Sequence, residues 1–116
     1  MTVAGSLDGR WFRSAEAVAG GEVGAATRFA YHQHDDLVWA RYSGGQVRLG
    51  YLVGTRSADR LDFRYTHVNG EGETATGHCT SEIVVTHRGL RLVETWTWES
   101  RPGSGTSVLD EVGPES

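Results

Sequence analysis

Glu94, His67 and Tyr65 are the residues of this chain best suited to chemistry. Glu94 lies in the run Leu90-Arg-Leu-Val-Glu-Thr-Trp-Thr-Trp98, where Leu90, Leu92, Glu94, Trp96 and Trp98 alternate with Arg91, Val93, Thr95 and Thr97. Period two is the mark of a strand with one dry and one wet face. A carboxylate on the dry face is costly unless it is paired or protonated, and burial there raises its pKa toward neutrality. With His67 or Tyr65 as partner, Glu94 would serve as an acid or base in a cofactor-independent cyclase, isomerase or hydratase. Alternatively, an arginine or a tyrosine hydroxyl satisfies it in an ordinary core. Tyr31, Tyr42, Tyr51, Phe63, Cys79, Trp96 and Trp98 fall on the faces read as inward. Aromatic walls with a few convergent polar groups describe a site for a small ligand.

The remaining candidates carry less. His32 and His34 share a strand face ahead of Asp35-Asp36, which begins a metal site, but a third ligand is missing, with His78 and Glu82 only guesses, and no metal is expected. Cys79 sits among Ala75, Gly77 and Ser81, the setting of a small buried hydrophobe rather than a nucleophile. Gly70-x-Gly72 follows a hairpin signal and opens no helix, so it is not a dinucleotide loop. Scattered arginines such as Arg10, Arg13, Arg41, Arg48 and Arg64 read as solubilising charges.

Eight short strands must position these groups. The expected runs are Arg10 to Glu16, Glu22 to Gln33, Leu37 to Tyr42, Gln46 to Gly54, Arg60 to Val68, Glu73 to Thr86, Leu90 to Ser100 and Thr106 to Val112. A short helix from Ser14 to Ala19 is the alternative at the start, and Thr55 to Asp59 reads as a polar loop. In the fourth run, Val47, Leu49, Tyr51 and Val53 form the expected dry face; in the sixth, Ala75 to Val85 at alternate positions. Asn69-Gly70 is a strong hairpin signal. Short connections leave no room for crossover helices, so the strands form a meander, and closure removes its edges. The expectation is an all-β, eight-stranded antiparallel up-and-down barrel with at most one short helix. It forms a single domain over residues 1–116, with 113–116 frayed. A flattened sandwich is the competing architecture.

Composition bounds the function. The 16 glycines in 116 residues suit many tight turns. A net charge of -4 gives no electrostatic case for nucleic acid or anionic membrane as partner. Lysine is absent, which excludes Schiff-base chemistry and a P-loop. One cysteine, and no signal-peptide pattern at the start, lead to the expectation of a cytoplasmic protein.

Asp8-Gly9-Arg10-Trp11 is similar to the Gly-x-Trp opening of calycins, the group that includes lipocalins, fatty-acid-binding proteins and avidin. A wider resemblance, from about Gly9 to Val112, is to small bacterial proteins often labelled N-acetylglutamate synthase. It rests on Tyr42-Ser-Gly-Gly45, Gly50-Tyr-Leu-Val-Gly54, Arg64-Tyr65 with Val68-Asn69, Gly77-His-Cys79 and Leu90 to Trp98. The calycin resemblance implies a ligand-binding barrel. The label implies acetyl transfer, for which this strand pattern supplies no helix N-terminus to cradle a pyrophosphate, so no coenzyme is expected. Three readings follow: a barrel binding a small molecule in an aromatic, mildly polar interior; an enzyme on the same barrel using Glu94; and a structural homodimer anchored by an outward Trp39.

Overall fold

The computed structural model describes residues 4–14 and 22–113. Its strands are β1 (Trp11–Ser14), β2 (Arg28–His34), β3 (Leu37–Gly44), β4 (Val47–Ser57), β5 (Arg60–Asn69), β6 (Thr74–Thr86), β7 (Gly89–Trp98) and β8 (Ser104–Val112). Each pairs antiparallel with its sequence neighbour, and β1 pairs with β8, so the sheet closes into a barrel. There is no helix among the described residues. Residues 15–21, which hold the Ser14 to Ala19 helix alternative beyond Ser14 and the end of the expected first strand, and most of the tail lie outside them.

The two ends of the barrel are built differently. At the end holding the β2–β3 and β4–β5 turns, residues 4–10 fold across the opening. Leu7 is fully buried, and the Arg56 guanidinium donates to the carbonyls of Ala4 (2.6 Å) and Gly5 (2.7 Å). Arg10 Nη1 donates to both oxygens of Glu111, and Glu111 also accepts from the Leu90 backbone N–H, which ties the β1–β8 seam to β7. Phe12, Tyr31, Val38, Leu61, Leu92 and Leu109 fill this half of the interior. The other end carries the β3–β4, β5–β6 and β7–β8 connections and the segment entering β2.

β4 departs from expectation in two ways. It runs on through Thr55, Arg56 and Ser57, which pair with Asp62, Leu61 and Arg60, so the expected polar loop is only the Ala58-Asp59 turn. The polar side chains there hid a strand, and Arg56 is polar because it serves the plug. Second, the register shifts between Val47 and Leu49. One extra residue inverts every later side chain. Gly50 and Leu52 therefore face in, while Tyr51 (52 % exposed) and Val53 (57 %) face out. Tyr51 is thus removed from the interior where the sequence pattern had placed it. Val85 is exposed as well (63 %), at the end of β6, although its register partner Leu90 is buried. β2 starts at Arg28 rather than Glu22; the chain before it turns at Gly24, where Thr27 Oγ1 accepts from the Gly24 N–H and donates to the Gly44 carbonyl.

Large rings inside the barrel lie over inward glycines. A Cβ on Gly50 would collide with the Tyr42 ring, one on Gly77 with Tyr65, and one on Gly105 with Trp96. Tyr42 has little freedom to retreat: it stacks on Phe29 with ring centres 4.7 Å apart and bonds to His67. Gly50→Ala is therefore expected to lose about 1–3 kcal/mol of stability through overpacking, read as a lower urea midpoint with unchanged slope.

Candidate functional site

Glu94 is held at mid-height in the barrel. Its register partners are Ser81 on β6 and Ser107 on β8. The Ser107 hydroxyl donates to Glu94 Oε1 at 3.0 Å. Among the described residues no arginine or histidine forms an ion pair with it. At 7 % exposure the carboxyl is desolvated, and burial, opposed by the Ser107 hydrogen bond, pushes its pKa up to about 7. Among the described residues, the buried Ser81 and Tyr31 hydroxyls have no hydrogen-bond partner. Tyr31 packs against Phe12 and does not line the cavity.

Above this floor is a cavity of about 50 Å³. Phe29, Tyr42, Leu52, Phe63, Tyr65, Cys79, Trp96 and Trp98 form its walls, and His67, Glu22 and Val23 its rim. At roughly 10–15 Å³ per water-sized group, it has room for about four such groups. Of the residues picked from sequence, Tyr42, Phe63, Tyr65, His67, Cys79, Glu94, Trp96 and Trp98 meet here; Tyr31 does not line it, and Tyr51 lies outside.

His67 takes part in a chain of bonds at the rim. Its Nε2 lies 2.9 Å from Glu22 Oε1, and its Nδ1 lies 3.0 Å from the Tyr42 hydroxyl. A carboxylate on Nε2 favours the N–H there, which leaves Nδ1 to accept the Tyr42 O–H. Glu22 also accepts from Asn69 Nδ2 (2.8 Å) and Arg101 (3.0 Å). Burial works to raise the Glu22 pKa, but the bonds from Asn69 and His67 and the Arg101 charge outweigh it and hold the carboxyl below its ordinary value. Asn69 in turn accepts the backbone N–H groups of Glu71 and Glu73, so one side chain both shapes the hairpin turn and holds Glu22. His67 and Glu94 therefore share a cavity but not a hydrogen bond; the histidine is already engaged at both nitrogens.

Burial and then the nearby Glu94 push the Cys79 thiol well above the ordinary range, so it is a wall group and not a thiolate. His32 stacks on Trp39, and His34 is exposed beside Asp35; among the described residues no three metal-ligating side chains gather anywhere. Glu22, Val23, Phe29, Leu52 and Ser107 were not picked from sequence. Leu52 was hidden by the β4 bulge, for which the spaced glycines Gly50 and Gly54 are the available signal. Glu22 has no local signal, because its partners lie 45 and 47 residues away.

A closed eight-stranded meander with an interior cavity defines a calycin-type barrel. The chain belongs to the avidin-like family: a family model described as avidin-like protein matches residues 5–112. No curated protein and no solved structure matches it.

Glu94 holds its proton more tightly in the folded chain, near pH 7, than in the unfolded chain, near 4.5. Its contribution to stability is fully present below about pH 4.5 and is lost as pH rises through 7, a decline of roughly 3 kcal/mol. Glu22, with a lowered pKa, acts in the opposite sense, losing its contribution as pH falls. Glu94→Gln is expected to remove the decline and to be more stable than the parent at about pH 8. Denaturant midpoints of both proteins across this range check it.

Proposed function

We propose that this barrel binds a small organic molecule in the Glu94 cavity, entered from the Glu22 rim. The observation that carries the reading is a desolvated carboxyl with no cationic partner among the described residues, set at the floor of an aromatic-walled hollow. A purely structural core would fill such a space or pair such a group. The family supports the same reading, since avidin-type barrels take small ligands such as biotin. Binding is favoured over catalysis because His67, the histidine of the cavity, is committed to Tyr42 and Glu22. The cytoplasm remains the proposed location.

A second reading, self-association, rests on a separate observation. Leu37, Trp39, Leu49, Tyr51 and Val53 lie exposed together on the outer face of β3 and β4, with Trp39 opposite Val53. A contiguous apolar strip of this kind is a common interface.

Two measurements test these readings. Trp96 and Trp98 line the site, so a panel of small amines, amides and acids, with biotin included, should give members that shift tryptophan emission and raise the melting temperature. Leu52→Trp, which fills the cavity, should abolish both effects; a panel without a single stabilising member counts against an interior site. By sedimentation velocity the parent should run larger than a monomer, and Val53→Glu as a monomer.

A further inference from the structure

The cavity holds one group whose charge is unbalanced. Glu94 receives a single hydrogen bond, from Ser107, and no cation reaches it among the described residues. The chain has no lysine, and no arginine lines the cavity. Around this carboxyl the rings stand at angles to one another rather than in a stack. Trp96 and Trp98 meet at 62° with centres 5.7 Å apart, and Tyr65 meets Trp98 at 64° and 5.7 Å. Rings set in this way make the corners of a box. Trp98 already accepts a cation at the rim, where the Arg101 guanidinium carbon sits 4.4 Å from its ring centre. Arg101 itself is neutralised by Glu22, so the rim does not repel a positive ligand with an unpaired charge.

We propose that the cavity takes a compact organic cation, a methylated ammonium headgroup, with Glu94 as its counter-ion and Tyr65, Trp96 and Trp98 as cation–π walls. This inference rests on the interior-site reading and narrows it to one ligand chemistry. A cation against aromatic faces is held more strongly once both are desolvated. Methylation suits the walls. A primary ammonium would bring three N–H donors into a space that offers few acceptors, and each unmatched donor is costly. A quaternary nitrogen has none.

Binding should also depend on pH. The titratable groups facing Glu94 are Tyr31 from β2, Tyr42 from β3, Tyr65 from β5 and Cys79 from β6. Burial raises all four, so they stay neutral near pH 7. His67 and Glu22 stand at the rim, bonded to each other. A permanently charged ligand does not titrate, so a rise in affinity between about pH 6 and 8 would report ionisation of the protein. Its disappearance in Glu94→Gln would assign the rise to Glu94 rather than to His67.

The decisive experiment is calorimetric titration of the full chain with choline and with its uncharged isostere, 3,3-dimethylbutan-1-ol. Choline is expected to bind with a dissociation constant of about 1 mM or tighter, and at least about tenfold more tightly than the neutral compound. In Glu94→Gln, choline affinity should fall at least about tenfold and lose its pH dependence, while the isostere is unaffected. Trp98→Leu should weaken choline more than the isostere. Equal binding of the two compounds by the parent overturns the cation inference and leaves the interior site standing. Binding of the isostere alone does the same. If neither compound binds, the inference also fails, and the fate of the interior site is then decided independently by the ligand panel. If Glu94→Gln does not fold, the ratio of the two compounds on the parent decides alone.

Discussion

A sheet that closes on itself has a single interior, and everything placed on its inner face must be satisfied there. The β1–β8 pairing makes that closure, although β1 has only four residues. Once the ring is shut, Glu94 cannot turn to solvent, Ser81 and Ser107 are forced beside it by register, and the rings of β3, β5 and β7 converge on the same space. The raised carboxyl pKa follows from closure: the same residue on an open sheet would be hydrated and ordinary.

The two ends then divide the work. One is sealed by chain: residues 4–10 lie across it, with Arg56 gathering the carbonyls of Ala4 and Gly5 and Arg10 fastening the seam through Glu111. Below mid-height the interior is packed with Phe12, Leu61, Leu92 and Leu109. The other end is bordered by side chains. Glu22 sits at the centre of a network with His67, Asn69 and Arg101, and the cavity lies directly inside it. Packing fills one half, and glycines beneath rings shape the other: Gly50, Gly77 and Gly105 give Tyr42, Tyr65 and Trp96 the depth to stand around a space.

The bulge in β4 shows why local pattern and interior can disagree. Val47, Leu49, Tyr51 and Val53 alternate as a dry face would, yet a single register shift against β5 sends the last three outward. What they form instead is an apolar strip on the outer surface with Trp39, itself placed outward by the alternation of β3. A period-two reading has no means of detecting one inserted residue except through the glycines that tolerate it.

Strand number, order and the inward face of β7 were legible in the sequence, because each rests on local alternation and on turn residues such as Asn69-Gly70. The meeting of Tyr65, His67, Cys79, Glu94, Trp96 and Trp98 was legible for the same reason: consecutive antiparallel strands bring alternate residues to one face. Tertiary structure alone decided the inversion of Leu52 and Tyr51, the conversion of a polar run into strand by Arg56, and the capture of His67 by Glu22. Each of these depends on a contact between residues far apart in the chain or on a register set by the partner strand, and no window of sequence contains both sides of such a contact.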